Sequence, residues 1–212
     1  MNKRLSLTLA SAAFLAVCSQ AQIVTVNLGG HTGTTGNSTM LISYLGGPAT
    51  GITATPFNAV VGGVAFVAYC VELGQGAALN TSYPAYRESI RTYLPSPTGD
   101  RLAYLYNHNQ TPSLSLDDQA ALQVAIWEAR YDSTFDLDNG NFKTVAINAA
   151  IKTKAQAYLA NLASPTGPIG EGMYYQSDSH QDLMGPVPEP ASLMALGVGA
   201  VALLRRRKNA KK

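Results

Sequence analysis

Hydrophobic and polar positions alternate in the first part of the chain and follow a helical period in the second. Residues 23–28 alternate apolar and polar side chains and residues 40–45 form a short apolar run, so both are predicted to be strands. A longer apolar run at residues 64–73 predicts a buried strand that ends at Gly74. Glycine pairs at residues 29–30, 46–47 and 62–63 predict turns.

The second half is predicted to be mostly helical, with helices at residues 83–94, 99–107 and 142–162 and a further helix around Gln123. The last of these has an apolar stripe at helical spacing, formed by Ile147, Ile151, Tyr158 and Leu162. Strands followed by helices favour an α+β domain, with a β-rich N-terminal part packed against a helical C-terminal half. Proline and glycine return after residue 163, so we predict a globular domain at 22–163 and a flexible tether at 164–186.

The helix around Gln123 is predicted from residues 120–128, which are rich in alanine and leucine and contain neither glycine nor proline. Asp117 and Asp118 precede this run and are expected to cap its first free N–H groups. Gln123 has mainly apolar neighbours at helical spacing, among them Ile126 and Trp127. Its amide therefore needs hydrogen-bond partners, because each unpaired buried group costs about 1–3 kcal/mol.

The N-terminus has the pattern of a secretory signal peptide at residues 1–21. Lys3 and Arg4 precede an apolar stretch, and a small-x-small site ends at Ala21. Cys18 lies in a segment with the outline of a lipobox, but Val17 is bulky for the position before a lipidated cysteine, so we predict cleavage after Ala21. The mature protein then keeps one cysteine, Cys70, in an oxidising compartment.

The C-terminus, residues 187–212, has three parts in a fixed order. A short motif and an apolar run at 191–204 are followed by a basic tail; the motif and tail contain Pro188, Glu189, Pro190, Arg205, Arg206 and Arg207. The apolar run would form a helix of about 21 Å, short for a bilayer core of about 30 Å. This order resembles the PEP-CTERM sorting signal of Gram-negative bacteria. The resemblance implies a short transmembrane helix, processing by an exosortase, and export to the surface or an exopolysaccharide matrix. The alternative is an ordinary tail anchor.

The charge of the full chain, +2, comes from its termini. The segment between them keeps seven of the fifteen basic residues and twelve of the thirteen acidic ones, so its net charge is near −5. The residues show no basic patch, and we expect no nucleic-acid partner.

Two short motifs carry the candidate chemistry. Cys70 lies within Tyr69-Cys70-Val71-Glu72, and Gln123 begins a segment that continues to Ile126 and Trp127. Together they resemble the thioester domain of bacterial surface adhesins, in which a strand cysteine and a helix glutamine form an internal thioester. The resemblance implies that Cys70 attacks the amide of Gln123 and releases ammonia, and that Val71, Ile126 and Trp127 keep water away.

The resemblance further implies that an external amine or hydroxyl, on a polysaccharide or a surface protein, displaces the sulfur and stays joined to Gln123. This happens once per molecule, so we expect a reactive binder that is not an enzyme, needs no cofactor, and meets the inner membrane only transiently through its C-terminal helix. Two positions depart from the family's pattern: Leu122 stands where threonine is common, and Glu72 where aspartate is common.

Three other interpretations apply to these residues and to the acidic loop. A non-covalent matrix protein would use the same fold without the bond. A cysteine hydrolase would use Cys70, with His108 as base and Asp117 or Asp118 as its orienting partner. The loop containing Asp132, Asp136, Asp138, Asn139 and Asn141 resembles a calcium loop, but its glycine is misplaced and a closing glutamate is missing, so a solvated turn is predicted. His31, His108 and His180 lack metal-ligand spacing.

Overall fold

The computed structural model describes residues 21–111 and 113–188, in which six strands are followed by three helices, a strand, a helix and two final strands. The strands are β1 (Gln22–His31), β2 (Thr39–Tyr44), β3 (Thr50–Thr53), β4 (Phe57–Val61), β5 (Val64–Cys70), β6 (Thr81–Ser89), β7 (Phe142–Ala146), β8 (Met173–Gln176) and β9 (Leu183–Gly185). The helices are α1 (Ile90–Tyr93), α2 (Thr98–Asn109), α3 (Leu116–Tyr131) and α4 (Ala149–Ala163). The fold is therefore mixed, with a strand-rich N-terminal part.

Six of these strands close into an antiparallel barrel in the order β1-β4-β5-β9-β8-β6, and a separate sheet has the order β3-β2-β7. In β1, β4 and β6 alternate residues are buried, such as Val26 and Leu28 in β1, because successive side chains of a strand point to opposite faces. The helix α3 packs against α2, α4, β5 and β7. The core thus joins the barrel to the helices.

Of the predicted glycine turns, the one at residues 62–63 is confirmed and the one at residues 29–30 is wrong. Gly62 and Gly63 form the turn between β4 and β5, with φ of 59° and 81°, as a tight hairpin requires. The turn predicted at residues 29–30 is wrong, because both lie within β1, where its pairing with β4 shifts register between Leu28 and His31. A Cβ on Gly29 would lie 3.0 Å from the Asn58 carbonyl oxygen, so glycine there allows two strands to approach closely.

The helix predicted at residues 83–94 is wrong over most of its length. The segment belongs to β6, which pairs with β1 on one side and β8 on the other, and only α1 at its end is helical. Tyr83 and Ala85 are buried while Pro84 and Tyr86 are exposed. Burial of every second residue is typical of a strand. The pairing with neighbouring barrel strands outweighs the local preference of these residues for a helix.

The helix predicted at residues 142–162 begins later than expected. Its first residues form β7, which pairs with β2, and α4 starts after Asn148, whose side chain accepts a 2.9 Å hydrogen bond from the Ala150 N–H. Of the predicted stripe, Ile151 is fully buried, and the remaining three side chains pack half-buried against the core.

The tether predicted at residues 164–186 is wrong, because β8 and β9 lie in this segment and complete the barrel between β5 and β6. Tyr174, Tyr175, Leu183 and Met184 are at most 1% exposed. These strands have four and three residues, too few for alternation to be visible in the sequence. The globular part therefore extends to Gly185, beyond the predicted boundary at residue 163.

The helix α3 is buried on all sides between residues 120 and 129, as expected for a helix at the centre of a domain. Its N-cap is Ser115, whose hydroxyl accepts from the Asp118 N–H at 3.2 Å. Asp117 and Asp118 do not precede the helix as predicted; they lie in its first turn, where their charge favours the helix dipole.

Glu128 on α3 is fully buried, and neither carboxyl oxygen has a hydrogen-bond partner among the described residues. Burial, reinforced by the charge of Asp132, raises the pKa of its carboxyl to about 8. The folded protein therefore keeps a proton there that the unfolded chain loses near its ordinary pKa of 4.5. The free energy of unfolding consequently falls as pH rises from about 5 to 8.

Replacing Glu128 with glutamine is expected to remove this part of the pH dependence, because the amide stays neutral. From pH 5 to pH 8 the wild type should lose about 2–4 kcal/mol of stability that the variant keeps, because one unit of pKa difference corresponds to about 1.4 kcal/mol. Urea unfolding at pH 5 and pH 8 measures the difference. Glu171→Gln, at an exposed site, is the control. An equal pH slope in Glu128→Gln and wild type would contradict the assignment.

Among residues 21–111 and 113–188, no helix is both long and apolar enough to cross a bilayer. The predicted sorting helix at residues 191–204 lies outside the described residues, as does the predicted signal peptide up to residue 20.

Candidate functional site

Cys70 is the last residue of β5, where this strand pairs with β9 through Cys70 and Leu183. Its side chain is 2% exposed and forms no disulfide. The strand predicted to continue to residue 73 ends here, so Cys70 lies where β5 leaves the barrel and reaches α3.

The Gln123 amide is fully buried and bonds to the main chain of Cys70 in both directions. The Cys70 N–H donates to Gln123 Oε1 at 2.9 Å, and Gln123 Nε2 donates to the Cys70 carbonyl oxygen at 2.8 Å. The strand cysteine and the helix glutamine that sequence analysis paired are therefore in direct contact. The same bonds supply the partners that a buried amide requires.

The Cys70 thiol contacts a second glutamine, Gln181, which sequence analysis missed. Cys70 Sγ lies 2.9 Å from Gln181 Oε1, and Gln181 Nε2 donates to the Glu72 carbonyl oxygen at 2.7 Å. Gln181 lies just before β9 and is 8% exposed. It lies two residues before the apolar pair Leu183 and Met184. This pair could have indicated a buried strand, but the segment is predicted to be a tether.

Burial raises the pKa of the Cys70 thiol well above its ordinary value, and the nearby charge of Glu72 raises it further. The resting side chain is therefore the neutral thiol at neutral pH. Since the thiolate is the better nucleophile, a reaction at Cys70 must remove the proton as the new bond to sulfur forms.

The side chains that flank Cys70 hold the end of β5 in place. Tyr69 is fully buried and donates through its hydroxyl to Gln110 Oε1 at 2.7 Å. Val71 is fully buried, and its N–H donates to the Asp182 carbonyl oxygen at 2.9 Å. The Glu72 carboxylate accepts from the N–H groups of Gly74 and Gln75. Glu72 therefore shapes the loop after the strand.

On the helix side, Leu122 and Ile126 are fully buried and Trp127 is 3% exposed. Trp127 packs against Phe142 of β7, with ring centroids 6.2 Å apart. Leu122, at the position where the family pattern has threonine, is part of the core. The apolar wall predicted beside Gln123 is thus a layer of α3 side chains.

A cavity of about 340 Å³ adjoins Cys70. Its wall comes from the ends of β1, β3 and β4, from the loop at residues 73–79, and from α3 and the segment before β9. Its polar or reactive side chains are His31, Thr53, Cys70, Gln75, Trp127 and Gln181. A larger cavity of about 480 Å³, between β1, β4 and β5, contains neither Cys70 nor Gln123.

The residues of the hydrolase alternative are engaged elsewhere. His108 stacks on Tyr104 at 3.9 Å between ring centroids, and its Nδ1 is 3.1 Å from the Tyr104 carbonyl oxygen. Asp117 accepts from Thr35 and Asn37, and Asp118 pairs with Lys154. Among the described residues the side chain of Cys70 has no hydrogen bond to an imidazole, so this triad is not assembled.

The acidic loop after α3 uses its carboxylates to hold its own backbone. Asp132 accepts from the N–H groups of Asn141 and Phe142 at 3.0 and 2.7 Å. Asp136 accepts from the Asp138 N–H at 3.0 Å, and Asp138 pairs with Lys152. Within the described ranges, no group of three or more His, Cys, Asp or Glu side chains is placed to hold a metal ion.

Comparison with known proteins matched both the sorting signal and the domain fold. Residues 186–208 match the model of the PEP-CTERM protein-sorting motif. The thioester domain of the Staphylococcus aureus TIE protein superposes with a TM-score of 0.50 at 12% identity, over 77% of this chain and 92% of that chain. Comparison with curated proteins found no match. Both predicted resemblances are confirmed; at this identity the second shows the fold alone.

The sorting motif implies an exported cell-surface protein that an exosortase processes. Pro188 is the last residue that the structure describes. The rest of the motif and the basic tail, including Glu189, Pro190 and Arg205 to Arg207, lie outside the described residues.

Proposed function

We propose that this protein acts at the surface or in the exopolysaccharide matrix of a Gram-negative bacterium, where an internal Cys70–Gln123 thioester attaches it covalently to an external target. The observation that carries the proposal is the pair of hydrogen bonds, 2.9 and 2.8 Å, between the Gln123 amide and the Cys70 main chain. They hold the electrophile against the residue that supplies the nucleophile, and such positioning can contribute about 7–11 kcal/mol to a barrier reduction.

The bond forms in one exchange. Cys70 Sγ attacks the Gln123 side-chain carbon, and negative charge develops on Oε1, which already accepts from the Cys70 N–H. That N–H stabilises the oxyanion. The carbon–nitrogen bond then breaks, and Nε2 leaves as ammonia with the proton of the thiol. The product is a γ-glutamyl thioester.

An external amine or hydroxyl attacks the thioester carbonyl, the carbon–sulfur bond breaks, and the proton returns to Cys70 as a thiol. The target, on a polysaccharide or a surface protein, remains attached to Gln123. Because the bond is consumed, each molecule reacts once, and the protein is a reactive binder that does not turn over. Export through an N-terminal signal peptide belongs to this proposal.

A second function is favoured by one observation: both polar atoms of the Gln123 amide group are already paired with Cys70. The same contact would serve a non-covalent matrix protein, in which the amide simply fastens α3 to the end of β5. The two functions differ in whether ammonia is lost.

Mass spectrometry of the mature protein separates them. With a thioester, the intact mass is short by one ammonia and Cys70 resists alkylation. Methylamine should then free the thiol and appear on Gln123 in peptide maps, and not on Gln181. Cys70→Ala should have its full calculated mass and take up no methylamine. A wild-type protein that has its full calculated mass and takes up no methylamine would contradict the thioester and support the non-covalent function.

A further inference from the structure

The side-chain amide of Gln181 is held in one orientation next to the Cys70 thiol. Its Nε2 donates to the Glu72 carbonyl oxygen at 2.7 Å, and the backbone N–H of Gln181 donates to the Gly76 carbonyl oxygen at 3.1 Å. Because Glu72 occupies the nitrogen of the amide, the atom that faces the sulfur is the oxygen, Oε1, at 2.9 Å. The main chain after β5 therefore decides which end of the Gln181 amide contacts Cys70.

This contact needs the hydrogen of the thiol. An amide oxygen accepts hydrogen bonds and cannot donate them, so the Cys70 S–H is the donor. Burial raises the pKa of this thiol well above its ordinary value, and the charge of Glu72 raises it further, so the hydrogen is present at neutral pH. Gln181 is 8% exposed and Cys70 is 2% exposed, so water replaces either partner poorly.

A thioester has no hydrogen on its sulfur. When the carbon–sulfur bond of the proposed thioester forms, the thiol proton leaves with ammonia, and Gln181 Oε1 loses its donor. A buried acceptor without a donor costs free energy. When a nucleophile later breaks the carbon–sulfur bond, the sulfur regains a hydrogen that Gln181 accepts. The contact therefore stabilises the thiol before and after the reaction, and does not stabilise the thioester between them.

We propose that Gln181 is a positioning residue that stabilises the free thiol of Cys70 relative to the thioester, and so shifts the equilibrium of the thioester towards its opened forms; this inference rests on the proposed function. The role of Gln181 differs from that of Gln123, whose amide bonds to the Cys70 main chain in both directions and, under the proposed function, supplies the acyl carbon. Gln181 acts on the sulfur alone and stays an unmodified amide.

Ammonia is the probe that measures this equilibrium, because it reverses the formation of the thioester. Ammonia attacks the thioester carbon, the carbon–sulfur bond breaks, and one proton of the ammonia moves to the sulfur. The products are the original Gln123 amide and the Cys70 thiol, so atoms and charge balance. The concentration of free ammonia at which half of the protein has regained its full calculated mass reports the ratio of thiol to thioester.

The test compares wild type with Gln181→Met in the mature protein by intact mass. Methionine is similar in length and has no amide oxygen. Half-conversion, approached both by adding ammonia and by removing it, should need about 2–10-fold more ammonia in Gln181→Met, the effect of one hydrogen bond. The variant also loses the bond to the Glu72 carbonyl oxygen. That loss weakens the fold of the thiol and thioester forms alike and cancels from the ratio.

Gln110→Met is the matched control. It makes the same substitution next to β5 and removes the acceptor that the Tyr69 hydroxyl uses at 2.7 Å, without changing a contact of the thiol. It should lower stability in urea unfolding and leave the half-conversion concentration at the wild-type value. Gln181→Glu keeps an oxygen that accepts from the thiol, so it should need no more ammonia than wild type.

Infrared spectroscopy supplies a readout that does not depend on the equilibrium. After cleavage at the predicted site, Cys70 is the only cysteine of the protein, so the spectrum has one S–H stretching band. In the thiol form, obtained with excess ammonia, the hydrogen bond to Gln181 should lower the frequency of this band. Gln181→Met should raise it and Gln110→Met should not. If Gln181→Met does not fold, the wild-type band is compared with that of a free thiol in an apolar solvent.

Each contrary result is distinct. Equal half-conversion concentrations in wild type and Gln181→Met, or a wild-type band at the frequency of a free thiol, overturn this inference and leave the thioester in place. An equal shift in Gln110→Met assigns the effect to loosening of the end of β5 and also overturns it. A wild type that shows no mass deficit even after ammonia is removed overturns the proposed function, and this inference with it.

Discussion

Glutamate in place of Gln123 is expected to abolish covalent coupling and to destabilise the fold at neutral pH. A carboxylate is a far poorer electrophile than an amide, so no ammonia is lost and no methylamine is taken up. In the folded chain before the thioester forms, Nε2 donates to the Cys70 carbonyl oxygen at 2.8 Å. A carboxylate oxygen there would face another acceptor, and the unsatisfied group should cost about 1–3 kcal/mol.

The destabilisation should depend on pH with a definite sign. In the Gln123→Glu variant, the introduced carboxyl regains a donor to the Cys70 carbonyl oxygen when it binds a proton. The folded variant therefore holds a proton that its unfolded chain releases, and its stability relative to wild type falls as pH rises. Intact mass and urea unfolding at pH 5 and 8 measure both effects.

The control for this variant is Gln156→Glu, which makes the same change on the exposed face of α4. It should keep the mass deficit and the wild-type stability. A mass deficit that persists in Gln123→Glu would contradict the assignment and transfer the role of acyl donor to Gln181, whose Oε1 lies 2.9 Å from Cys70 Sγ.

Truncation after Ala163 is expected to prevent folding, although the sequence alone places the domain boundary there. The shortened chain loses β8 and β9, which lie between β5 and β6 in the closed barrel. Backbone groups of both neighbours would lose their partners, and Cys70 would lose Gln181. Circular dichroism should show no cooperative thermal transition, and Cys70 should alkylate readily.

The matching control is a chain that begins at Gln22 and ends at Pro188, which keeps all strands described here. It should unfold cooperatively and protect Cys70. A chain of residues 22–163 that melted at the same temperature, with Cys70 still protected, would show that the last two strands are peripheral.

The sequence predicts the two elements of the central contact because each depends on residue types within a single segment. A glutamine in an alanine-rich helix and a cysteine in an apolar strand are visible locally, and both elements exist. The β-rich start of the domain is visible for the same reason, since its strands alternate. Their contact was predicted from the resemblance, and the structure brings the two residues together through the Cys70 main chain.

What the sequence does not predict depends on partners distant in the chain. Residues 83–89 contain alanine, arginine and glutamate, which favour a helix, and become a strand because β1 and β8 lie on either side. The strands β8 and β9 are too short to show a period. The cavity combines side chains from β1, the loop after β5, α3 and the segment before β9, a set that no local pattern brings together.

The two glutamines that meet at Cys70 lie 53 and 111 positions further along the chain. An extended chain has neither contact, and the second one forms only when the final strand closes the barrel. Under the proposed mechanism, a polypeptide that is exported before it folds has only an ordinary thiol and ordinary amides. Cytoplasmic amines therefore have no thioester to attack. In this mechanism the reactive bond would form only after export, so the order of assembly would keep the thioester away from cytoplasmic amines.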